Sequence, residues 1–560
     1  MARDSGPSKV EQVKRASQRL RGTLAEELGN NAPTFSGGST VLLKFHGIYQ
    51  GYDRGSATEL KQKGLGKQAQ LMVRVRIPGG RLTAAQYLAL DDIADRHGNG
   101  TLRLTTRQSI QFHGVLKRES KAAIAGIDRA LLTTLAACGD VVRTVTTVAA
   151  PIRDAVHARL EADARRLSAH LLPQSGAYHE IWLDGEPVAG EAEETLYGRT
   201  YLPRKFKIGL ATPEDNSIDV LTNDLGIVAL FEADRLAGYN LALGGGLGMT
   251  HNNPRTFPRL ASPVAFVSPE DLLPAAEAVV RLHRDHGDRS DRRHARLKYV
   301  IAEHGEAWAK ARLEEYLGKA LEDPRPMPRF HVREHLGWHE QGDGQLYLGV
   351  PVPSGRIAGE ARRALREAIA KFGLDPIISP NQDLILSNAA PEDRPAIEAL
   401  LRAGGIALLE DVTPVRRWSL ACPALPTCGL ALTEAERVHD PLMTGIEAAL
   451  ARHGLENERL AVRITGCPNG CARPYAGDIG IVGRMPGFYA LYVGGDFEGT
   501  RLNVRLLDRV AESDVAATLE PLFALFAAER LPSEGFGDFC HRVGSSRLLA
   551  ALGAQLQEVS

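Results

Sequence analysis

Four cysteines in two short loops carry the most distinctive chemistry of this sequence. They form a C-x5-C pair and a later C-x3-C pair: Cys422, Cys428, Cys467 and Cys471. Four thiolates that converge suit zinc or an iron–sulfur cluster. The Pro-Asn-Gly run at 468–470 predicts a tight turn that aims both thiols of the second pair inward. The apolar run at 460–464 predicts a strand that delivers this loop.

Two other interpretations of the cysteines stay open on the residues alone. Buried cysteines can be inert core residues, although such residues seldom lie in loops rich in Pro and Gly. A non-catalytic protein with a structural zinc site is the second interpretation. Zinc pairs usually have two to four intervening residues, which is fewer than in the C-x5-C pair.

The run Thr-Gly-Cys-Pro-Asn-Gly-Cys at 465–471, together with the C-x5-C pair, resembles the assimilatory sulfite and nitrite reductases. That family carries sirohaem joined to a [4Fe–4S] cluster. The resemblance implies that all four cysteines hold the cluster and that Cys471 also ligates the sirohaem iron. It implies six-electron reduction of sulfite to sulfide, in sulfate assimilation and cysteine biosynthesis. Reduction of nitrite to ammonia is the alternative activity.

Alternating residues place cations on one face of several predicted strands, because strand side chains point to opposite faces in turn. Over 71–77 the apolar residues share one face, while Arg74 and Arg76 share the other. Similar polar faces occur at 101–107, 109–113 and 205–207. A packed domain rarely turns a row of arginines toward an empty interior, so these faces predict an anionic ligand.

The resemblance assigns roles to these polar residues. The residues implied for the substrate anion are Arg76, Arg143, Lys205 and Lys207. The residues implied for sirohaem are Arg103, Thr105, Arg107, Gln111, His113, Gly244, Gly245, Gly246, Asn381, Gln382 and Asn469. Glycines at 244–246 would let backbone amides approach the ligand closely. The family often has Asn on both sides of the arginine at 143, whereas Val142 and Thr144 stand here, so a hydrogen bond to the cofactor edge is expected to be either lost or rerouted.

The elements that position these residues occur twice. The strand, Gly-Arg turn and helix at 71–95 are followed by the strands at 101–114, and the same order returns at 346–357, 360–372 and 377–386. Such a repeat predicts two related half-domains. With the resemblance, the expected fold is α+β: a pseudo-twofold pair of ferredoxin-like half-domains plus two larger α+β lobes that hold sirohaem and the cluster.

The expected architecture divides the chain into five parts. They are a leader and partner-docking segment (1–65), a first half-domain (66–143), a sirohaem-binding middle domain (144–335), a second half-domain (336–412) and a C-terminal domain for cluster and sirohaem (413–560). A chain of 560 residues with 44% hydrophobic residues can build several cores. Its formal net charge of −1 gives no reason to expect nucleic acid as a partner.

No flavin or nicotinamide motif is present, so electrons are expected from another protein. The motifs at 20–23 and 45–50, within a leader expected to be helical over 10–28, are similar to the leader of the haem-binding subunit of NADPH-dependent sulfite reductases. That similarity implies a flavoprotein (FAD/FMN) reductase as donor, with ferredoxin as the alternative. The sequence shows no signal peptide and no apolar run of membrane-spanning length, and its free thiols suit the cytoplasm.

Overall fold

The computed structural model describes residues 6–174, 182–183, 186–187 and 194–553. A strand that the sequence pattern favours over 178–183 falls mostly outside these ranges. The α-helices of the described residues are α1 (Lys9–Ala16), α2 (Leu24–Gly29), α3 (Gly37–Leu42), α4 (Ala57–Gln62), α5 (Ala84–His97), α6 (Lys117–Arg129), α7 (Ala155–His170), α8 (Leu272–His286), α9 (Leu297–His304), α10 (Glu306–Leu317), α11 (Gly359–Phe372), α12 (Arg394–Ala403), α13 (Pro414–Arg417), α14 (His439–Ala451), α15 (Val515–Glu529) and α16 (Phe536–Ala551).

The strands belong to four larger sheets and one short hairpin. They are β1 (Ile48–Tyr52), β2 (Ala69–Arg74), β3 (Leu102–Thr105), β4 (Ser109–Val115), β5 (Thr146–Thr147), β6 (Trp182–Leu183), β7 (Glu186–Pro187), β8 (Ile208–Ala211), β9 (Leu225–Glu232), β10 (Arg235–Leu243), β11 (Ser262–Val267), β12 (Gly337–Glu340), β13 (Leu346–Val350), β14 (Arg356–Ile357), β15 (Asp375–Ile378), β16 (Leu384–Ala389), β17 (Leu420–Ala421), β18 (Val462–Thr465), β19 (Ile479–Met485), β20 (Phe488–Val493) and β21 (Val504–Ala511).

The repeat forms two sheets that share one core. The first sheet has the order β1-β2-β4-β3-β14, and the second has the order β12-β13-β16-β15. Helices α5 and α11 pack their apolar faces into a common cluster drawn from both half-domains. Thr83 begins α5 with a capping box, in which its side chain and that of Gln86 bond each other's backbone N–H. The pseudo-twofold α+β architecture is therefore confirmed.

Glycines at matching positions bring the two half-domains into close contact. Gly80 (φ +74°) and Gly355 (φ +71°) follow the first strand of each repeat. A Cβ on Gly80 would lie 2.4 Å from the carbonyl oxygen of Ile378, and a Cβ on Gly355 would lie 2.6 Å from that of Leu104. Each glycine thus packs against the strand of the other repeat, which explains why no side chain is tolerated at either place.

Two further sheets form the remaining lobes. The middle sheet has the order β11-β10-β9-β8-β5 and packs with α7 to α10 around a large apolar cluster. The C-terminal sheet has the order β17-β18-β19-β20-β21 and packs with α14, α15 and α16. Its first three strands are parallel, and the rest are antiparallel. The expected strand before the second cysteine pair is present as β18.

The leader is part of the core in the residues that the structure describes. Leu20, Phe45 and Ile48 are at most 2% exposed. The helix expected over 10–28 is interrupted, because the residues at 18–20 take left-handed φ values and divide it into α1 and α2. No helix in the described ranges is long and apolar enough to cross a bilayer.

Candidate functional site

The two cysteine loops begin at the same edge of the C-terminal sheet. Strands β17 and β18 are parallel neighbours, so their ends deliver Cys422 and Cys467 side by side. Cys422 donates its backbone N–H to Ile464 at 3.1 Å. Gly466 N–H points at the Cys422 Sγ at 3.4 Å. A short parallel pair therefore sets the distance between the two loops.

The four thiols lie close enough to influence one another. Burial raises the pKa of Cys422, and the charges of Cys471, Cys467 and Cys428 raise it further. Cys422 and Cys467 are buried, Cys428 is half-buried and Cys471 is exposed. No three His, Cys, Asp or Glu side chains in the described ranges meet at the spacing of a single metal ion. Four cysteine thiolates are the donor set that holds a [4Fe–4S] cluster, so the chemistry of these side chains fits such a group.

Neighbouring loops hold the second cysteine pair in place. Asn469 bonds the Cys467 thiol through both its backbone and its side chain, and these bonds oppose the rise that burial causes in the pKa of Cys467. Thr106 Oγ1 donates to the carbonyl of Cys471 at 3.0 Å. Met249 N–H donates to the carbonyl of Pro468 at 2.9 Å. Cys471 is thereby placed between the β3–β4 turn of the first half-domain and the loop that follows β10.

A row of polar side chains crosses the first sheet on one face. Strand register sets Arg74 opposite Gln111, Gln111 opposite Arg103, and Arg103 opposite Arg356. Directly opposed residues share a face of the sheet. Glu436 pairs with Arg356 at 2.7 Å and with Arg103 at 3.3 Å. Arg74, at the other end of the row, has no carboxylate partner among the described residues.

Two lysines on the chain before β8, Lys205 and Lys207, lie within electrostatic range of Arg143 and Arg107. Together with Arg74 they line what is called the cleft. Burial lowers the pKa of Lys205 to about 7, and Arg143, Arg296 and Arg204 lower it further, while Cys471 opposes the shift. Burial also lowers the pKa of Lys207, as do the charges of Arg296 and Arg107. In the described structure neither ammonium group has a hydrogen-bond or ion-pair partner.

Arg143 reaches this cleft from the segment before β5. Its Nη2 donates to the hydroxyl of Tyr49 at 3.2 Å, and its Nε donates to the carbonyl of Gly139 at 3.4 Å. Burial disfavours its charge, but Tyr49 and Cys138 outweigh this and raise the pKa of Arg143. The guanidinium therefore stays charged, and Tyr49 of the leader aims it.

Arg76, which was expected at the substrate, points elsewhere. Its Nη1 donates to the carbonyls of Ala136 and Val142, both at 3.0 Å. Its Nε and Nη2 donate to Ser168 at 3.1 Å. These bonds occupy every nitrogen of a side chain that is 3% exposed. Arg74, the other arginine of this strand face, instead lies on the polar face of the first sheet, opposite Gln111. The resemblance assigns the substrate role to Arg76 and gives Arg74 none.

Two expected sirohaem contacts, Arg103 and Arg107, donate most of their N–H groups to protein acceptors. Arg103 is fully buried, and its Nη2 donates to the carbonyl of Ala421, next to the first cluster cysteine. Arg107 donates from Nη1 to Thr146 and Asn223, and from Nη2 to two carbonyls. Only Nε of Arg107 is left without a partner in the part of the chain described. Both arginines therefore hold the domains together around the cleft.

Gln111 and His113 lie on the polar face as expected. With its amide oxygen toward Arg74, Gln111 accepts from Arg74 Nε at 3.0 Å. Its nitrogen then faces His113 Nε2 at 3.3 Å. Burial lowers the pKa of His113 strongly, as do the charges of Arg356, Arg103 and Arg74, so the ring is neutral. Thr105 Oγ1 accepts the backbone N–H of Arg107 at 3.3 Å and supports the turn.

The glycine run at 244–246 is explained by packing against protein. A Cβ on Gly245 would lie 2.2 Å from the carbonyl of Leu221, and one on Gly246 would lie 2.7 Å from Arg296. The amides of Gly244 and Gly246 donate to protein carbonyls, contrary to the expectation that they face a ligand. Lys298 Nζ donates to the carbonyls of Gly246 and Gly248, at 3.0 and 2.8 Å, which fixes the loop beside the cysteines.

Asn381 and Gln382 were expected to contact sirohaem, and the structure gives them different surroundings. Asn381 Oδ1 accepts from Arg473 Nη2 at 2.8 Å, so Asn381 is bonded to the chain two residues after Cys471. Gln382 is buried with a φ of +73°, and its Oε1 has no partner among the described residues. Thr144, which stands where the family often has Asn, likewise has a buried hydroxyl without a partner. Of these atoms, Thr144 Oγ1 and Arg107 Nε can donate, so these two fit a polar ligand that carries carboxylates, whereas Gln382 Oε1 can only accept.

Comparison with known proteins gives consistent matches over the whole chain. The family model described as the nitrite and sulphite reductase 4Fe-4S domain matches residues 162–321 and 415–559. The model described as the nitrite/sulfite reductase ferredoxin-like half domain matches 65–130 and 339–404. The chain is 46% identical to the sulfite reductase [NADPH] hemoprotein beta-component of Myxococcus xanthus, over 96% of both chains. It is 44% identical to the sulfite reductase [ferredoxin] of Synechococcus elongatus, over 97% of this chain and 90% of that one.

One solved structure shares the fold. The Mycobacterium tuberculosis NirA protein superposes with a TM-score of 0.80 and 24% sequence identity, over 97% of this chain and 98% of that one.

Proposed function

This chain belongs to the nitrite and sulphite reductase family, and we propose from that premise that it reduces sulfite to sulfide, using sirohaem and a [4Fe–4S] cluster. The curated relatives cited above are named as sulfite reductases, which favours sulfite over nitrite. The observation that carries the proposal is a group of four cations, Arg74, Arg143, Lys205 and Lys207, that form no ion pair with a carboxylate among the described residues. Asp224, the carboxylate that acts on Lys207, is already held by Arg296 at 2.8 and 2.9 Å.

Four cations are proposed to bind the substrate anion: Arg74, Arg143, Lys205 and Lys207. Arg74 takes the place that sequence analysis gave to Arg76. When bound, sirohaem and the cluster supply the iron that holds the substrate sulfur and the electrons that reduce it. Fixed cations neutralise the oxyanion and polarise its S–O bonds without reorganising during the reaction. Arginine suits this task because its planar fork matches oxyanion geometry.

The lysines are the proposed proton donors. Each sulfite oxygen leaves as water and requires two protons. A lysine whose pKa is lowered by burial and by neighbouring cations releases its proton more readily than a free lysine. Lys205, with a pKa of about 7, is matched to donation near neutral pH. The cofactors are proposed to be held by the four cysteines, with Cys471 shared between cluster and sirohaem.

The electron donor is proposed to be a separate protein. A flavoprotein reductase subunit fits the relatives named as NADPH hemoprotein components, and ferredoxin fits the relative named as ferredoxin-dependent. We also propose the five-part division of the chain at 1–65, 66–143, 144–335, 336–412 and 413–560. A reducing compartment such as the cytoplasm suits the free thiols that the cluster requires.

The test is an absorption spectrum of the purified protein with counts of iron and acid-labile sulfide. We expect strong visible absorbance, and Cys471→Ser should lose it together with sulfite reduction. Cys540→Ala, in the core of α16, is the matched control and should keep both. Colourless wild-type protein without acid-labile sulfide would overturn the proposal. Comparative kcat/KM for sulfite and nitrite on the same preparation separates the two activities.

A further inference from the structure

One arginine of the leader is bonded to the loop of the first cysteine pair. Arg54 Nη1 donates to the carbonyl of Ala431 at 2.7 Å and to the carbonyl of Cys428 at 3.3 Å. Its backbone N–H donates to the carbonyl of Pro426 at 3.2 Å. A single residue thus binds carbonyls before, at and after a cluster cysteine. Carbonyls in a loop need such partners where the chain has no regular structure.

The support behind Arg54 is rigid. Strand β1 ends at Tyr52, two residues earlier, and pairs with β2 along its whole length. A Cβ added to Gly55, the next residue, would lie 3.4 Å from the side chain of Pro426, so the two segments are in contact. The leader therefore presents Arg54 from the turn that follows a paired strand and that contacts the loop of the first cysteine pair.

The guanidinium also brings a positive charge next to a cysteine of the first pair. Arg54 Nη1 lies 3.3 Å from the carbonyl oxygen of Cys428 itself. Arg54 is a partly buried cation, so solvent screens its charge less than that of a surface residue. A positive charge beside a cluster ligand stabilises the reduced state, because reduction makes the cluster more negative.

We propose that Arg54 is a positioning residue for the loop of Cys422 and Cys428, and that its fixed charge raises the reduction potential of the cluster bound there. This inference rests on the proposed function, since it requires a cluster on these cysteines. The leader would then influence electron transfer within its own chain, through Arg54.

Two substitutions test the guanidinium. Arg54→Gln removes the charge and shortens the donor side chain, whereas Arg54→Lys keeps a charged donor nitrogen of similar reach. Arg118→Gln is the matched control, because Arg118 on α6 is 78% exposed and pairs with its sequence neighbour Glu119. All variants are full-length holoenzymes, with cluster content checked by iron and sulfide counts.

The first measurement is a redox titration of the cluster, in which electron paramagnetic resonance reports the reduced fraction. In Arg54→Gln the equilibrium constant for reduction should fall about threefold, or about 28 mV at 59 mV per tenfold for one electron. Arg54→Lys and Arg118→Gln should titrate as the wild type does.

The second measurement is the rate of iron release from the holoenzyme to a chelator. Arg54→Gln should release iron several-fold faster, because its shorter side chain does not reach the carbonyls of Cys428 and Ala431. Arg54→Lys, which keeps a charged donor, should release iron at a rate near that of the wild type. Unchanged potential and unchanged release in Arg54→Gln would show that Arg54 has neither role. A wild-type protein without any cluster signal would instead count against the proposed function, so the two failures are distinct.

Discussion

At the scale of single residues, Arg74 and Arg76 have the same side chain and the same strand parity but different surroundings. Arg74 is the last residue of β2 and faces the cleft. Arg76 lies past the strand end, where its backbone pairs with Thr133 in an isolated bridge. Its guanidinium is surrounded by carbonyls of 136, 142 and 168. One arginine is therefore available to an anion, and the other holds the fold together.

Substitution of these two arginines should give opposite results. Arg74→Gln should lower kcat/KM for sulfite by tenfold or more and leave thermal unfolding near the wild-type temperature, because it removes a cation from the cleft. Arg76→Gln should lower the free energy of unfolding by about 3 kcal/mol, because buried carbonyls lose their donors. Steady-state kinetics and thermal denaturation of both variants check this. Equal loss of stability in both would show that Arg74 is structural as well.

Buried histidines predict how stability depends on pH. Burial lowers the pKa of His46 and of His283 to about 4 from an ordinary value of 6.5. Between these values the unfolded chain binds protons that the folded chain does not, so stability is complete above pH 6.5 and is lost as the pH falls toward 4. Each histidine should contribute about 2 kcal/mol to the loss between about pH 7 and about pH 5.

The check is urea unfolding of His283→Gln at both pH values. Glutamine can still donate to the carbonyl of Ala295, which His283 Nε2 contacts at 2.9 Å, but it does not titrate. The variant should lose less stability on acidification than the wild type. His541→Gln, exposed on α16, is the control and should keep the wild-type pH dependence. A variant as acid-sensitive as the wild type would mean that His283 is not neutral in the fold.

At the scale of elements, the pairing of the two half-domains depends on close approach between a turn and a strand. The turn after β2 packs on β15, and the turn after β13 packs on β3. Because the contacts are related by the pseudo-twofold, each glycine turn meets a carbonyl of the other repeat. This arrangement brings the β3–β4 turn, with Thr105 to Gln108, to the position where it meets Cys471.

Alanine at either turn glycine should destabilise the pair. Gly80→Ala and Gly355→Ala combine a left-handed backbone with a backbone clash, which together cost about 3 kcal/mol or more. Gly373→Ala is the matched control, since its φ is +65° and no atom lies within 4 Å of the added Cβ. It should cost only about 1 kcal/mol. The check is the denaturant midpoint of each of the three variants. An equal loss of stability in all three would show that the backbone clash does not contribute.

At the scale of the whole molecule, the functional loops come from different domains and are joined by buried ion pairs. Asp219 of the middle domain pairs with Arg463 and Arg473 of the C-terminal domain, at 2.5 and 2.9 Å. Arg473, two residues after Cys471, also bonds Asn381 of the second half-domain. The leader contributes through Lys14, which is fully buried and bonds the carbonyl of Leu202 at 2.7 Å and Asp140 at 3.5 Å.

Lys14→Met should therefore affect both stability and substrate binding. Loss of the ammonium leaves Glu11 and Asp140 with fewer partners, at a cost of about 3 kcal/mol. Because Asp140 and Leu202 each lie three residues before a cleft cation, Arg143 and Lys205, the KM for sulfite should also rise. Thermal unfolding and steady-state kinetics measure the two effects. Lys9→Met, exposed on the same helix, should change neither, and a wild-type result for Lys14→Met would refute the structural role of α1.

For the same reason, deletion of residues 1–60 is a poor test of partner docking. It removes Leu20, Phe45 and Ile48 from the core together with Lys14 and Arg54, so loss of turnover would follow from misfolding. Docking of a reductase is better tested with exposed leader residues such as Lys61 and Lys63.

Local patterns in the sequence were enough to predict the cysteine loops, the repeated half-domains and the polar faces of the strands. Each of these depends on spacing along one short segment, which the sequence displays directly. The repeat also predicted the architecture, because two similar segments that each leave an apolar face exposed must pack together.

Only the tertiary structure decided what each polar side chain touches. Alternation along 71–77 put Arg74 and Arg76 on one face. Alternation holds only within a strand, and β2 ends at Arg74. Beyond that point the donors of Arg76 bond carbonyls that are distant in the sequence. Gly244 to Gly246 have the same explanation, since their neighbours Leu221, Ile301 and Arg296 lie elsewhere in the sequence. A side chain's partner is set by residues that folding brings near, and no local pattern specifies which residues those are.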